Sequence, residues 1–206
     1  AYETQNIIPI AATVRILDAA TGAGIADVTA VSSIGSSSTT DASGSATIDV
    51  AAGQNFSIQL EKEGALDHLL FGPAGQEDFD FVTFLATDSM VNMVTSMLGA
   101  SPAPGTGVLV VGIDYDDLSA AVGASASIGS DHDNPWVIGG MGPAFGDTIP
   151  AGGMGMVAFP GVAPGDVSVD VAPPQDASCT AFPGNGEMPE VPVLENQVTV
   201  IAFHCR

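Results

Sequence analysis

Short segments that alternate apolar and polar residues, each closed by turn formers, dominate this chain. Val14 and Ile16 alternate with Thr13 and Arg15, and the same period of two recurs at Ala46, Ile48 and Val50 and at Phe56, Ile58 and Leu60. That period marks a strand with one buried face. Residues 18–24, 41–44 and 51–54 punctuate these runs, and the whole chain holds 25 Gly and 14 Pro, residues that supply the special φ angles of turns. Such a chain is expected to be all-β, with many short strands. Residues 27–31 and 78–85 read as further strands, and the Ser-rich residues 32–40 as a polar loop.

One helix interrupts the pattern. Met90, Val91, Val94, Met97 and Leu98 fall at helical spacing. Thr87 or Asp88 can cap its start by accepting a free amide hydrogen, and Gly99 can end it. The apolar stripe is expected to dock between two halves of the chain. Residues 99–107, Gly-Ala-Ser-Pro-Ala-Pro-Gly-Thr-Gly, hold neither a helix nor a central strand. They divide the chain into residues 1–98, a first sandwich domain with an N-terminal arm, and 108–206, a second sandwich domain.

The second half repeats the first. Val108 to Asp114 matches Val14 to Asp18, Val122 to Ile128 matches Ile25 to Val31, residues 153–159 match 44–50, residues 164–171 match 52–60, and the strand at 197–205 matches that at 78–85. Asp41-Ala42-Ser43-Gly44 and Gly53 in the first half, with Gly123-Ala124-Ser125-Ala126 and Val162 to Val169 in the second, resemble the carboxypeptidase regulatory-like module. The resemblance implies two tandem transthyretin-like, Greek-key β-sandwich domains and a non-catalytic role in a bacterial surface protein. Residues 131–155 depart from the module as a long Gly-rich insertion.

Charge excludes several classes. Three basic residues, Arg15, Lys62 and Arg206, face 24 carboxylates, for a formal charge of −21. Phosphate neutralisation needs cations, so nucleic acid is not a partner. A polybasic membrane contact is equally excluded, and no apolar run is long enough to span a bilayer. With 46% hydrophobic residues the chain can bury a core. Such acidity suits saline or calcium-rich surroundings, where salt screens self-repulsion. The first residues, Ala1-Tyr2-Glu3, are what an exported chain shows after removal of a leader.

Cys179 and Cys205 read as one disulfide of an oxidising compartment, or else as two buried thiols. Asp114, Asp116 and Asp117, with Asp131 and Asp133, place oxygen ligands on loops as calcium requires, although solvated Asp turns give the same pattern. Trp136 is either a platform for a sugar or a partner, or a closing core residue. His68, His132 and His204 lack paired ligand spacing. No G-x-S-x-G elbow occurs, and no carboxylate pair stands out, so a non-enzymatic chain is expected. Tyr2, Ile7, Ile8 and Ile10 lie in an N-terminal arm without counterpart in the repeat. It either pairs within its own domain or adds a strand to a neighbour's sheet. The expected role is a secreted or cell-surface structural subunit, a homo-oligomer or filament, with glycan binding through the second-domain loops as the alternative.

Overall fold

The computed structural model describes residues 7–19, 21–99, 103–184 and 186–206. It is all-β with one helix. The first half contains β1 (Pro9–Asp18), β2 (Thr29–Ser32), β3 (Ser37–Thr39), β4 (Ser45–Ala51), β5 (Asn55–Glu61), β6 (Asp67–Pro73) and β7 (Phe79–Leu85), followed by α1 (Asp88–Leu98). The second contains β8 (Gly107–Tyr115), β9 (Ser125–Ile128), β10 (Trp136–Gly139), β11 (Gly142–Phe145), β12 (Met156–Val162), β13 (Gly165–Val167), β14 (Val169–Ala172), β15 (Cys179–Phe182), β16 (Val191–Val193) and β17 (Gln197–Cys205).

The alternating residues do what their period implies. Ala12, Val14 and Ile16 of β1 are buried, as are Ile48 and Val50 of β4 and Phe56, Ile58 and Leu60 of β5. Each such Val, Ile, Leu or Phe contributes about 1.5–3 kcal/mol by leaving water. Asp41 shows how the turns are held. Its carboxylate accepts from the Ser43 amide (2.8 Å), the Ser43 hydroxyl (2.6 Å) and the Ser45 amide (3.1 Å). These bonds, the Ser43 hydroxyl first, hold its pKa below the usual carboxylate range. The next residue but two, Gly44, has φ 79° and passes so close to the Ile16 carbonyl that a Cβ could not fit.

The two halves repeat one pairing scheme. β1 pairs antiparallel with β4 and parallel with β7. Likewise β8 pairs antiparallel with β12 and parallel with β17. The Ile16 amide donates to the Gly44 carbonyl, and the Ile113 amide to that of Gly155. The counterpart of Gly44 is therefore Gly155, two residues beyond the sequence match at Gly153. A shift of two keeps every side chain on its face, so the period could not reveal it.

The large sheet runs β11-β10-β12-β8-β17-β6-β5-β2-β3 and joins both halves through the parallel pair β17–β6, Gln197 to Val200 against Asp67 to Leu70. Its opposite faces carry different cores. Val198, Val200 and Leu70 pack under the three-stranded sheet β4-β1-β7 with Phe56, Ile58 and Phe81. Ile201, Phe203 and Phe71 point the other way, into a core with Leu109, Val111 and Ile113. Helix α1 has the expected ends: the Met90 amide donates to Thr87 Oγ1 at 3.3 Å, and Gly99 closes it at φ 67°. Val94 packs on Trp136, Met156 and Ala158 of the second half, while the Asp88 amide donates to the Gly64 carbonyl of the first.

Candidate functional site

A cleft of about 410 Å³ lies between β7 and α1. Its floor is one face of β8 and β17. Val108, Val110, Gly112 and Asp114 line up at period two beside Val198, Val200, Ala202 and His204. Val108 and Val110 remain half-buried, because no strand lies above them. One wall is the edge of β7, Asp80 to Phe84; the other is α1, through Met90 and Val94, backed by Trp136 and Met156. Among the described residues β7 pairs with β1 alone, so its outer edge has no strand partner. The counterpart in the second half, β17, has this same edge covered by β6. Among the described residues the three-stranded layer thus ends at β7.

Asp114 and His204 sit at one end of the cleft, His68 is in register with Val198 towards the other, and Arg15 and Asp80 line it from β1 and β7. Asp114 follows the valine row and is the cross-strand neighbour of His204. Burial pushes its carboxyl up from 3.8 to about 7, since the charged form loses water without gaining a partner. His204 lies flat on Phe182, centroids 3.8 Å apart, with its Nδ1 3.5 Å from Asp116. Burial lowers its pKa, opposed by the Asp116 charge. The other Asp116 oxygen accepts from Arg206 Nε at 2.9 Å. His68, 1% exposed, lines the inner side of the cleft.

The structure scatters the acidic residues expected to bind calcium. Asp114 faces the cleft, Asp116 is the counterion of Arg206, and Asp117 accepts from the Ser119 amide and hydroxyl within its own turn. Asp131 and Asp133 are exposed on another loop. Among the described residues no three His, Cys, Asp or Glu side chains could hold a metal ion. Asp114, Asp116 and Asp117 thus have separate surroundings, and Asp131 and Asp133 stand apart from them. Trp136 is 8% exposed, its indole against α1 rather than open to solvent. Cys179 and Cys205 are neighbours across β15 and β17 and form a disulfide. Of the arm, Tyr2 lies outside the described residues, and Ile7 and Ile8 are 47% and 64% exposed. Ile10 is buried opposite Val50 and belongs to the chain's own core, so it leaves the arm.

Sequence reasoning missed the cleft. Its signal was present: Val108 to Ile113 and Val198 to Phe203 are apolar at nearly every position, the pattern of strands covered on both faces.

No protein-family model and no curated protein matches the chain. The layered all-β architecture stands, and nothing ties it specifically to carboxypeptidase regulatory-like domains. Among solved structures the chain is similar to the Bacillus anthracis TIE protein, at 11% identity and TM-score 0.29, over 97% of this chain and 34% of that one. It is similar to the minor pilin of Streptococcus agalactiae, at 12% identity and TM-score 0.32, over 95% of both chains. A third is the major pilin of Streptococcus pyogenes, at 12% and 0.32, over 97% of this chain and 98% of that one. The chain thus spans about a third of the length of the TIE protein. TM-scores near 0.3 do not amount to a shared arrangement of strands, and they assign no role. Among the described residues no helix is long and apolar enough to cross a membrane.

Proposed function

We propose that this chain is a non-enzymatic subunit of an extracellular or cell-surface assembly, in which the N-terminal segment of one copy lies in the cleft of the next and pairs with the edge of β7. The observation that carries this is the β7 edge, which no other strand among the described residues pairs, over an apolar floor, at the position where the repeated unit has its β17 edge covered. A peptide backbone finds its hydrogen-bond partners on such an edge, and its side chains face the valine rows. β7 contains no Pro, which distinguishes it from the edge strand β11.

The path of the chain at Ile8 favours a neighbour's cleft over its own. The Ala52 amide donates to the Ile8 carbonyl, so the chain still follows β4 there, on the far side of β1 from the cleft. A segment passed from copy to copy makes a head-to-tail contact that does not close, hence a filament.

The chain reads as two units, 1–98 and 108–206, joined by 99–107 and held together by the β17–β6 pair. The disulfide fits an oxidising, extracellular location. A catalytic reading finds little support around Asp114: no hydrogen bond reaches its carboxyl among the described residues, and His204 is engaged by Phe182 and Asp116. Sugar stacking on Trp136 lacks an open ring face. Electron microscopy of the purified chain tests the proposal. Filaments that vanish on removal of residues 1–7 and return with a neighbour's intact segment are expected; assemblies indifferent to that removal, or a strictly monomeric intact chain, would overturn it.

A further inference from the structure

The methionines are unevenly placed. Six of the seven, Met90, Met93, Met97, Met141, Met154 and Met156, belong to α1 or to the stretch from β10 to β12. The same region is almost without charge. Residues 89–113 contain no Asp, Glu, Lys or Arg, and residues 134–165 contain Asp147 alone, in a chain of net charge −21.

Several of these side chains face water together. Met93 and Met97 are one helical turn apart on α1 and are 38% and 53% exposed. The Met97 methyl lies over Gly142 of β11, 2.9 Å from where a Cβ would stand. Met141, in the two-residue loop between β10 and β11, is 99% exposed. Phe145 is 52% exposed and pairs with Trp136, which places its ring on the α1 side of the hairpin. Exposed apolar side chains gathered in one place mark an interaction surface, and methionine adapts readily to a partner.

The β11 edge itself is closed to strand addition. The Gly139–Gly142 pair flanks the two-residue loop and is hydrogen-bonded, so Ile138–Pro143 is not, and the Pro143 nitrogen looks outward without a hydrogen. Contact here is by side-chain packing.

We infer that this face, Met93, Met97, Met141 and Phe145, packs against the same face of a second copy in a two-fold contact. Met93, Met97, Met141 and Phe145 carry no charge, and Asp147 is the one ionised side chain in the stretch that bears the last two, so charge offers a partner little hold here. The surface that matches an uncharged apolar face in a chain otherwise covered with carboxylates is that face itself. Pairing it also keeps the carboxylates of the two copies apart, which lowers the Coulomb cost of association. A self-complementary patch of this kind closes as a dimer, distinct from the open contact proposed for the cleft.

The test uses the full-length chain carrying Ile7→Asp and Ile8→Asp, which disables the N-terminal segment. Sedimentation equilibrium should show a reversible dimer. Adding Met97→Glu and Met141→Glu should weaken it at least tenfold, with the Trp136 emission unchanged as evidence that the fold is intact. A monomer at every concentration, or a dimer indifferent to the two glutamates, would overturn the inference. So would a monomer that co-sediments with neutral phosphatidylcholine vesicles through these methionines, which would give the face to lipid.

Discussion

The Nε2 atom of His68 accepts the amide hydrogen of Ala86 at 3.1 Å, while its Nδ1 donates to the Leu66 carbonyl at 2.9 Å. One neutral imidazole thus fixes the junction between β7 and α1 to the start of β6. Both ring nitrogens are used, and protonation would remove the acceptor that holds Ala86. Burial accordingly lowers this His from 6.5 to about 4.

The sign of the pH effect follows. The unfolded chain takes up the proton near 6.5 and the folded chain only near 4. Stability from His68 is complete above pH 6.5 and declines towards pH 4, by roughly 3 kcal/mol across that window. Urea titrations at several pH values should show a shallower acid loss for His68→Gln than for the parent. An identical slope would mean that the imidazole is not held neutral.

Asp114 runs the other way. Its folded value is raised from 3.8 to about 7, so the unfolded chain ionises first and stability declines as pH climbs from about 4 to about 7. Asp114→Asn should therefore melt higher than the parent at pH 8 and no higher at pH 4. The two groups oppose each other between pH 4 and 6.5, so the Asp114 gain on acidification offsets part of the His68 loss and Asp114→Asn should show a steeper acid loss than the parent. Equal melting of Asp114→Asn and parent at pH 8 would contradict the buried carboxyl.

Strands and helix were legible because each depends on local rules. Period two placed Val14, Ile48 and Phe56 inside, and Thr87 and Gly99 bounded the helix as caps. The repeat was legible too, except for the two-residue offset at Gly155. The β17–β6 pair was not, since parallel neighbours from opposite halves leave no local trace. The cleft depends on that pair and on the empty place beside β7, so residues such as Val108 and Val198 read as ordinary strand positions. The spacing of Asp114, Asp116 and Asp117 brings carboxylates near one another in sequence without saying which have partners.

The dispersal of those aspartates has a consequence for ions. With 24 carboxylates against three fixed cations, added salt should raise the melting temperature by screening. Calcium and magnesium at equal ionic strength should act alike, because no chelating set exists among the described residues. A clear advantage for millimolar calcium would reveal a site.

Thr87 supplies the cap of the cleft wall. Thr87→Ala leaves the Met90 amide without its 3.3 Å partner and should cost about 1 kcal/mol. Amide exchange should quicken in residues 88–94 more than in β8. Uniform acceleration would indicate a global effect instead.

The disulfide acts on the strand that holds the halves together. β17 lies against β8 along most of its length, against β6 at Gln197 to Val200, and against β15 at Cys179 to Phe182. The bond joins residues 26 apart in sequence, Cys179 and Cys205, at the far end of β17 from β6. Opening it frees the unfolded chain from a closed loop, an effect of about 3–4 kcal/mol on the chain-entropy account. For a chain this long, that corresponds to a fall of roughly 6–15 °C in melting temperature. Because β15 is short, its pairing should loosen first and expose the Phe182 ring that stacks on His204. Reduction, or a double Cys→Ser variant, should therefore speed amide exchange in β15 before β6. Calorimetry with and without reductant checks the magnitude, and an unchanged melting temperature would show that β17 is held by its ladders alone.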